Sequence, residues 1–117
     1  MDEPEPVVIL ITFPADGDVT TFATALVRHG EAACVSVLPD VESVYRWEGA
    51  IEHARERQLI VKTTLEMVDP LKRRVARLHP CDTPEFLVLH VAGGEERYLA
   101  WLREATSSKR SPETGDS

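Results

Sequence analysis

Apolar and polar side chains alternate along residues 33–47, and this period of two predicts one unusually long β-strand. Beyond Pro39, one face of the strand carries Val41, Ser43, Tyr45 and Trp47. Pro39 has no backbone N–H to donate, so it is expected at a bulge, a bend or an edge of the sheet. A strand that reaches past the body of a small domain needs another chain to cover it, and the pattern therefore predicts an oligomer.

Two short apolar runs, residues 7–13 and 86–91, predict strands that are buried on both faces and lie in the middle of the sheet. Residues 50–64 follow a predicted turn at Glu48-Gly49 and are expected to return antiparallel to the long strand. Their middle part, residues 52–58, has high helix propensity by itself. We interpret the whole segment as a second long strand, because polar residues on both faces fit an exposed hairpin arm.

Apolar side chains at helical spacing predict three helices in the rest of the chain. Asp16 or Asp18 is expected to cap the first helix, and Gly30 is expected to follow its end. The Asp69-Pro70 pair is expected to begin the second helix, with Asp69 as the N-cap. The order β-α-β-β-α-β followed by a helix predicts an α+β, ferredoxin-like fold, with two helices on one face of a four-stranded antiparallel sheet that includes the long hairpin.

The length of 117 residues fits one folded domain, which we place at residues 7–106, between disordered tails at 1–6 and 107–117. The net charge of −7 argues against nucleic acid and anionic membranes as partners. No apolar run is long enough for a transmembrane helix and the N-terminus lacks signal-peptide features, so a cytoplasmic location is expected. No phosphate-binding loop, nucleophile elbow or Ser-His-Asp order is found, and we expect no enzymatic activity.

Four stretches of the sequence carry a resemblance to a known family. They are A-A-C-V-S-V-L-P-D-V-E-S-V-Y-R-W-E-G, L-I-V-K-T-T, L-H-P-C-D-T-P-E-F and Y-L-A-W-L. Together they closely resemble the CutA divalent-cation tolerance family, over about Val7 to Glu104. The resemblance implies a tight homotrimer, similar to PII-type signalling proteins, in which the long hairpin strands pair between subunits.

The resemblance also implies binding of divalent metal ions, above all copper, with zinc or another divalent cation as the other choices. The family positions associated with metal fall on Cys34 and His79. Where the family usually has a tyrosine, this chain has Cys81, which adds a thiol two residues from His79. Thiolate and imidazole suit copper and zinc, so we predict Cys34, His79, Cys81 and the nearby Glu85 as metal ligands.

Each candidate ligand also has an interpretation without metal. Cys34 suits a small core residue of a strand. His79 suits a residue at a helix C-terminus that bonds the last carbonyls. Cys81 suits an exposed, reactive thiol.

Further family positions imply a cleft between subunits, and here they fall on Tyr45, Trp47, Lys62, Glu85 and Trp101. The aromatic residues are equally typical of an oligomer interface. Lys62 is expected to pair with Glu85, and the alternative is that it contacts an anion in the cleft. Two functions result: a trimeric metal-binding protein of metal tolerance, or a PII-like signalling or adaptor trimer that takes a small ligand or a partner protein at the cleft.

Overall fold

The computed structural model describes residues 3–107, which form an α+β fold around one four-stranded antiparallel sheet. The strands are β1 (Pro6–Pro14), β2 (Cys34–Trp47), β3 (Ala50–Thr64) and β4 (Leu87–His90). The helices are α1 (Val19–Arg28), α2 (Val68–Leu78) and α3 (Glu96–Ala105), and a 3₁₀ turn at Leu65–Met67 leads into α2. Within residues 3–107, no helix has the length and apolar character needed to cross a membrane.

Of the two predicted tails, residues 1–2 and 108–117 lie outside the described part of the chain, whereas residues 3–6 and Ser107 belong to it. At the N-terminal side, contacts with the body begin before the predicted boundary at residue 7. Arg103 donates to the carbonyl of Pro4 at 2.8 Å, and the backbone N–H of Leu65 donates to the carbonyl of Glu5 at 2.8 Å.

The long hairpin of β2 and β3 is confirmed, including the segment whose local propensity favours a helix. Glu48 and Gly49 both have positive φ, 50° and 84°, which matches the twist of a two-residue hairpin turn. A register shift between Val37 and Asp40 places Pro39 at a bulge, which is one of the three placements expected for it. Pairing with β2 along its whole length outweighs the helix propensity in the middle of β3.

The sheet order is β2-β3-β1-β4, so β1 and β3 lie in the middle and β4 lies at an edge. The prediction that residues 86–91 form a central strand is therefore wrong. Within the described chain β4 pairs only with β1, and its three apolar side chains, Leu87, Val88 and Leu89, are between 37% and 56% exposed. The apolar composition of β4 is not explained by burial inside a single chain.

The core lies between one face of the sheet and helices α1 and α2, and we call this side of the sheet the covered face. Its buried side chains are Val7, Ile9, Ile11, Phe13, Val19, Phe22, Ala23, Leu26, Ala32, Leu59, Val61, Leu71 and Val75. The alternate residues of the same strands, among them Val8 and Lys62, point the other way and are half-buried. We call that side the outer face.

The start and end of α1 follow the sequence signals. The carboxylate of Asp18 accepts hydrogen bonds from the backbone N–H of Thr21 at 3.1 Å and from its hydroxyl at 2.7 Å. Gly30, with φ of 78°, follows the end of the helix. The predicted start of the second helix is wrong, because the 3₁₀ turn makes Met67 the N-cap and leaves Asp69 inside the first turn.

Candidate functional site

Cys34 and Lys62 are direct partners across β2 and β3, and both side chains lie on the outer face. The Lys62 ammonium lies 3.8 Å from the Cys34 sulfur and donates to the hydroxyl of Ser36 at 2.7 Å. Cys34 is half-buried and does not belong to the core cluster. The structure thus places the thiol at the surface of the sheet, beside a positive charge.

The predicted ion pair between Lys62 and Glu85 is wrong. Glu85 instead accepts a hydrogen bond of 2.8 Å from the side-chain amide of Gln58, which also donates to the carbonyl of Ile11 at 3.1 Å. Among residues 3–107, no carboxylate oxygen lies within 4.0 Å of the Lys62 nitrogen. A neutral amide can satisfy Glu85 at this position, so the lysine charge remains without a carboxylate partner.

His79 lies on the covered face, at the end of α2, and is only 9% exposed. Its Nδ1 accepts a hydrogen bond of 3.1 Å from the backbone N–H of Cys81, so the ring proton resides on Nε2. Nε2 donates to the carbonyl of Thr12 at 2.6 Å. The ring also packs edge-on against Phe13 and Phe22, with centroid distances of 5.1 and 5.6 Å.

These two hydrogen bonds fix the tautomer of the His79 imidazole. Both ring nitrogens are engaged, so neither offers a lone pair to a metal ion in this arrangement. The ring bonds the carbonyl of Thr12 on β1, while the backbone N–H of His79 donates to the carbonyl of Val75 in the last turn of α2 at 2.8 Å. The alternative interpretation of His79 as a residue that bonds the last carbonyls therefore holds for its backbone and not for its ring. His79 joins the loop after α2 to the neighbouring strand.

Cys81 is exposed. It lines a surface pocket between α2 and the following loop, together with Lys72, Val75, Ala76, His79, Asp82, Thr83, Pro84 and Phe86. Its backbone N–H donates to Nδ1 of His79, and its thiol is not in a disulfide. The exposure of Cys81 agrees with the alternative interpretation of this residue as an exposed thiol.

The structure does not bring the four predicted metal ligands together within one chain. Cys34 lies on the outer face, His79 on the covered face, Cys81 in the pocket and Glu85 against Gln58. Within residues 3–107, no group of three or more His, Cys, Asp or Glu side chains is placed to hold a metal ion. A complete ligand set from a single subunit is therefore not formed.

The aromatic residues predicted at the inter-subunit cleft are all exposed. Tyr45 is 44% and Trp47 is 58% exposed on the hairpin arm, and Trp101, 46% exposed, packs against Tyr98 on α3 with a centroid distance of 5.4 Å. Sequence reasoning missed a further set of exposed apolar side chains, Val44 and Ile51 on the arm and the three on β4. The continuous apolar run of β4 was the available signal, and it was interpreted as burial within the chain.

The family model described as CutA1 divalent ion tolerance protein matches residues 7–105. The chain belongs to the CutA1 family. A divalent-cation tolerance protein CutA from Thermus thermophilus is 46% identical over 99 residues, which cover 85% of this chain and 96% of that protein. A CutA protein of the same description from Pectobacterium atrosepticum is 42% identical over 98 residues, 84% of this chain and 89% of that protein.

Solved CutA1 structures have the same fold. The CutA1 structure from Oryza sativa superposes with a TM-score of 0.87 at 34% identity, covering 92% of this chain and 98% of that one. The Thermus thermophilus structure gives a TM-score of 0.84 at 44% identity, covering 87% and 99%. Membership of CutA1 supports a general role in tolerance of divalent cations.

Proposed function

We propose that this CutA1 protein is a cytoplasmic, non-enzymatic homotrimer that binds copper and contributes to tolerance of divalent metal ions. The observation that carries the proposal is the family match over residues 7–105. Zinc or another divalent cation is the other choice of metal. The cytoplasmic location is an expectation from the sequence and is part of the proposal, and a related structure from Archaeoglobus fulgidus is described as a periplasmic protein.

Two unpaired sheet edges support the homotrimer. β2 and β4 are the two edges of the sheet, and both carry exposed apolar residues, with Trp47 at 58% and Leu87 at 56%. An exposed, apolar edge strand is a template for pairing with another chain. Because the two edges belong to different parts of the same subunit, pairing one with the other gives a head-to-tail contact, and such a contact forms a ring when the rotation between subunits closes, here after three subunits in the proposed trimer.

The same assembly would supply what one chain lacks for metal binding. Cys34 on the outer face and Cys81 in its pocket are the thiols of the described chain, and within residues 3–107 neither belongs to a group of three or more His, Cys, Asp or Glu side chains placed to hold a metal ion. Copper and zinc favour thiolate and imidazole ligands, and most structural sites use four. In the proposed trimer, side chains from more than one subunit complete the set around Cys34.

Native mass spectrometry with one equivalent of copper(II) per subunit tests this proposal. We expect a trimer that takes up copper, a loss of uptake in Cys34→Ser, and retained uptake in the matched variant Cys81→Ser. A monomer, or a trimer that takes up no copper, would contradict the proposal. Loss of uptake in Cys81→Ser alone would move the site to the pocket after α2.

A PII-like adaptor is the second candidate function, and the environment of Lys62 favours it. An ammonium group without a carboxylate partner, next to the hydroxyl of Ser36, suits a small anion. Adding inorganic phosphate should then shift the amide resonances of residues 34–36 and 60–62. Those shifts should disappear in Lys62→Met and persist in Lys72→Met, which removes the same charge from α2.

A further inference from the structure

A small hollow lies between α2 and the connection from α1 to β2, on the far side of the sheet from Cys34 and Lys62. Its volume is about 100 Å³, and its lining residues are Glu31, Pro70, Arg73, Arg74 and Arg77. Three guanidinium groups and one carboxylate therefore surround it, a local charge of +2 in a chain whose net charge is −7.

The charge of Glu31 is already used within the chain. Its carboxylate accepts two hydrogen bonds from Arg74, at 2.9 and 3.0 Å, and both side chains are largely buried, with exposures of 15% and 18%. This bidentate geometry fixes the position of the Arg74 guanidinium at the edge of the hollow. The pair leaves no negative charge for the other two arginines.

Arg73 and Arg77 have no carboxylate oxygen within 4.0 Å in the described chain. They are four residues apart on α2, so they lie on the same side of the helix, where like charges repel. Asp69 precedes Arg73 by the same interval, and yet the two form no ion pair in residues 3–107. Concentrating uncompensated positive charge here destabilises the helix slightly, and an anion between the two guanidinium groups would remove the repulsion.

We propose that this arginine hollow binds a phosphate-type oxyanion, either free phosphate or the terminal group of a small phosphomonoester. The planar fork of a guanidinium matches the oxygens of phosphate in a bidentate manner. A hollow of about 100 Å³ accommodates one such group. A nucleic-acid backbone is a poor alternative, because it needs a larger basic surface than this acidic chain provides. The site is separate from the proposed metal site and does not depend on it.

Titration calorimetry with inorganic phosphate and with glycerol phosphate tests the site on the full chain. The variant Arg73→Gln/Arg77→Gln should weaken binding about tenfold, since two charge-assisted contacts are lost. The matched variant Lys72→Gln/Arg97→Gln removes two exposed positive charges outside the hollow and should retain binding. Glutamine has a helix propensity close to that of arginine, so α2 should stay folded, which circular dichroism would verify.

Amide chemical shifts locate the binding in the wild-type chain. Both inorganic phosphate and glycerol phosphate should shift the resonances of Glu31 and of residues 71–77. The anion that binds with the higher affinity identifies whether the site takes free phosphate or a phosphomonoester. An equal loss of binding in both double variants would overturn the proposal, because overall charge would then be the cause. So would the absence of binding at about millimolar phosphate, the weak end of specific affinities.

Discussion

The two residues that the family resemblance marks as metal ligands, Cys34 and His79, lie on opposite faces of one sheet. His79, on the covered face, is 9% exposed and has both ring nitrogens in hydrogen bonds. Cys34, on the outer face, is half-buried beside the ammonium of Lys62, which has no carboxylate partner in residues 3–107. Both side chains can in principle bind a metal ion, but only Cys34 has a ligand atom that is not already engaged in a close pair of hydrogen bonds.

This difference shows that the side chain's remaining bonding capacity, and not its type, decides its role. A buried imidazole with a donor and an acceptor already engaged holds two chain segments together. A half-buried thiol on a face bordered by exposed apolar edges is available to a ligand or to another subunit. We therefore expect substitutions on the covered face to change stability, and those on the outer face to change binding.

The largest effect is expected for His79→Ala, which should lower the free energy of unfolding by about 3 kcal/mol. The variant loses the packing of the ring against Phe13 and Phe22 and leaves the carbonyl of Thr12 without its donor. Urea unfolding at one fixed subunit concentration measures the change, since assembly couples stability to concentration.

The matched variant Cys81→Ser keeps the backbone N–H that His79 accepts from, so its stability should change by less than about 0.5 kcal/mol. Copper uptake by a folded His79→Ala protein should equal that of the wild type. If His79→Ala kept the stability of the wild type but lost copper uptake, His79 would be a metal ligand, and the covered face would also serve binding.

A smaller loss, about 2 kcal/mol, is expected for Arg74→Met, because the carboxylate of Glu31 then stays largely buried without its partner. The hydrogen bonds from Arg74 to Glu31 raise the pKa of the arginine above its ordinary value. A raised pKa gives stability that is complete below the ordinary value and is lost only as the pH rises through the raised one. The loss on mutation should therefore be the same throughout the neutral range.

Thermal unfolding of Arg74→Met beside Arg73→Met checks this expectation. The neighbouring arginine has no carboxylate partner in the described chain, so its removal should leave the melting temperature nearly unchanged. Equal destabilisation by the two variants would mean that the pair with Glu31 contributes little.

On the outer face, Lys62→Met should tighten copper binding about tenfold, or roughly 1.4 kcal/mol, if Cys34 is a ligand. The ammonium at 3.8 Å attracts a thiolate of charge −1 but repels a copper(II) ion of charge +2 at a similar distance, so the repulsion dominates. Competition with a chelator measures the affinity, and Lys72→Met is the control. Unchanged or weaker copper binding in Lys62→Met would argue that Cys34 does not hold the metal.

Local signals in the sequence predict β2 and α1, whereas for residues 50–58 of β3 they leave strand and helix both open. Alternation predicts β2, Pro39 is expected at a bulge, a bend or an edge, and Asp16 or Asp18 with Gly30 mark the ends of the helix. Each of these features depends on residues close in the chain or on one strand pair. Long-range features were not predictable in the same way.

The position of β4 at the edge, the partner of Glu85 and the saturation of His79 all depend on segments far apart in sequence. His79 bonds Thr12 across 67 residues, and Glu85 bonds Gln58 across 27. An apolar run such as Leu87–His90 has the same appearance whether it is buried in one chain or exposed at an edge for another. The family resemblance identifies which residues are candidates for the site. Their hydrogen-bond partners are known only from the structure.

The smallest effect is expected at the exposed cap of α1, the helix that shields the covered face. Asp18→Ala should lower the melting temperature slightly at neutral pH, because Thr21 loses the acceptor for its hydroxyl and its backbone N–H.

Those two bonds, the hydroxyl first, hold the pKa of Asp18 below its ordinary value of 3.8. A lowered pKa gives stability that is present above the ordinary value and is lost as the pH falls through the lowered one. The difference between Asp18→Ala and the wild type should therefore shrink in acid, while Asp16→Ala, two residues earlier and outside the cap, should match the wild type at every pH. If the difference in stability between Asp18→Ala and the wild type stayed constant into strong acid, the ionised carboxylate would not be its cause. The effect would then come from the change of residue type at the start of the helix.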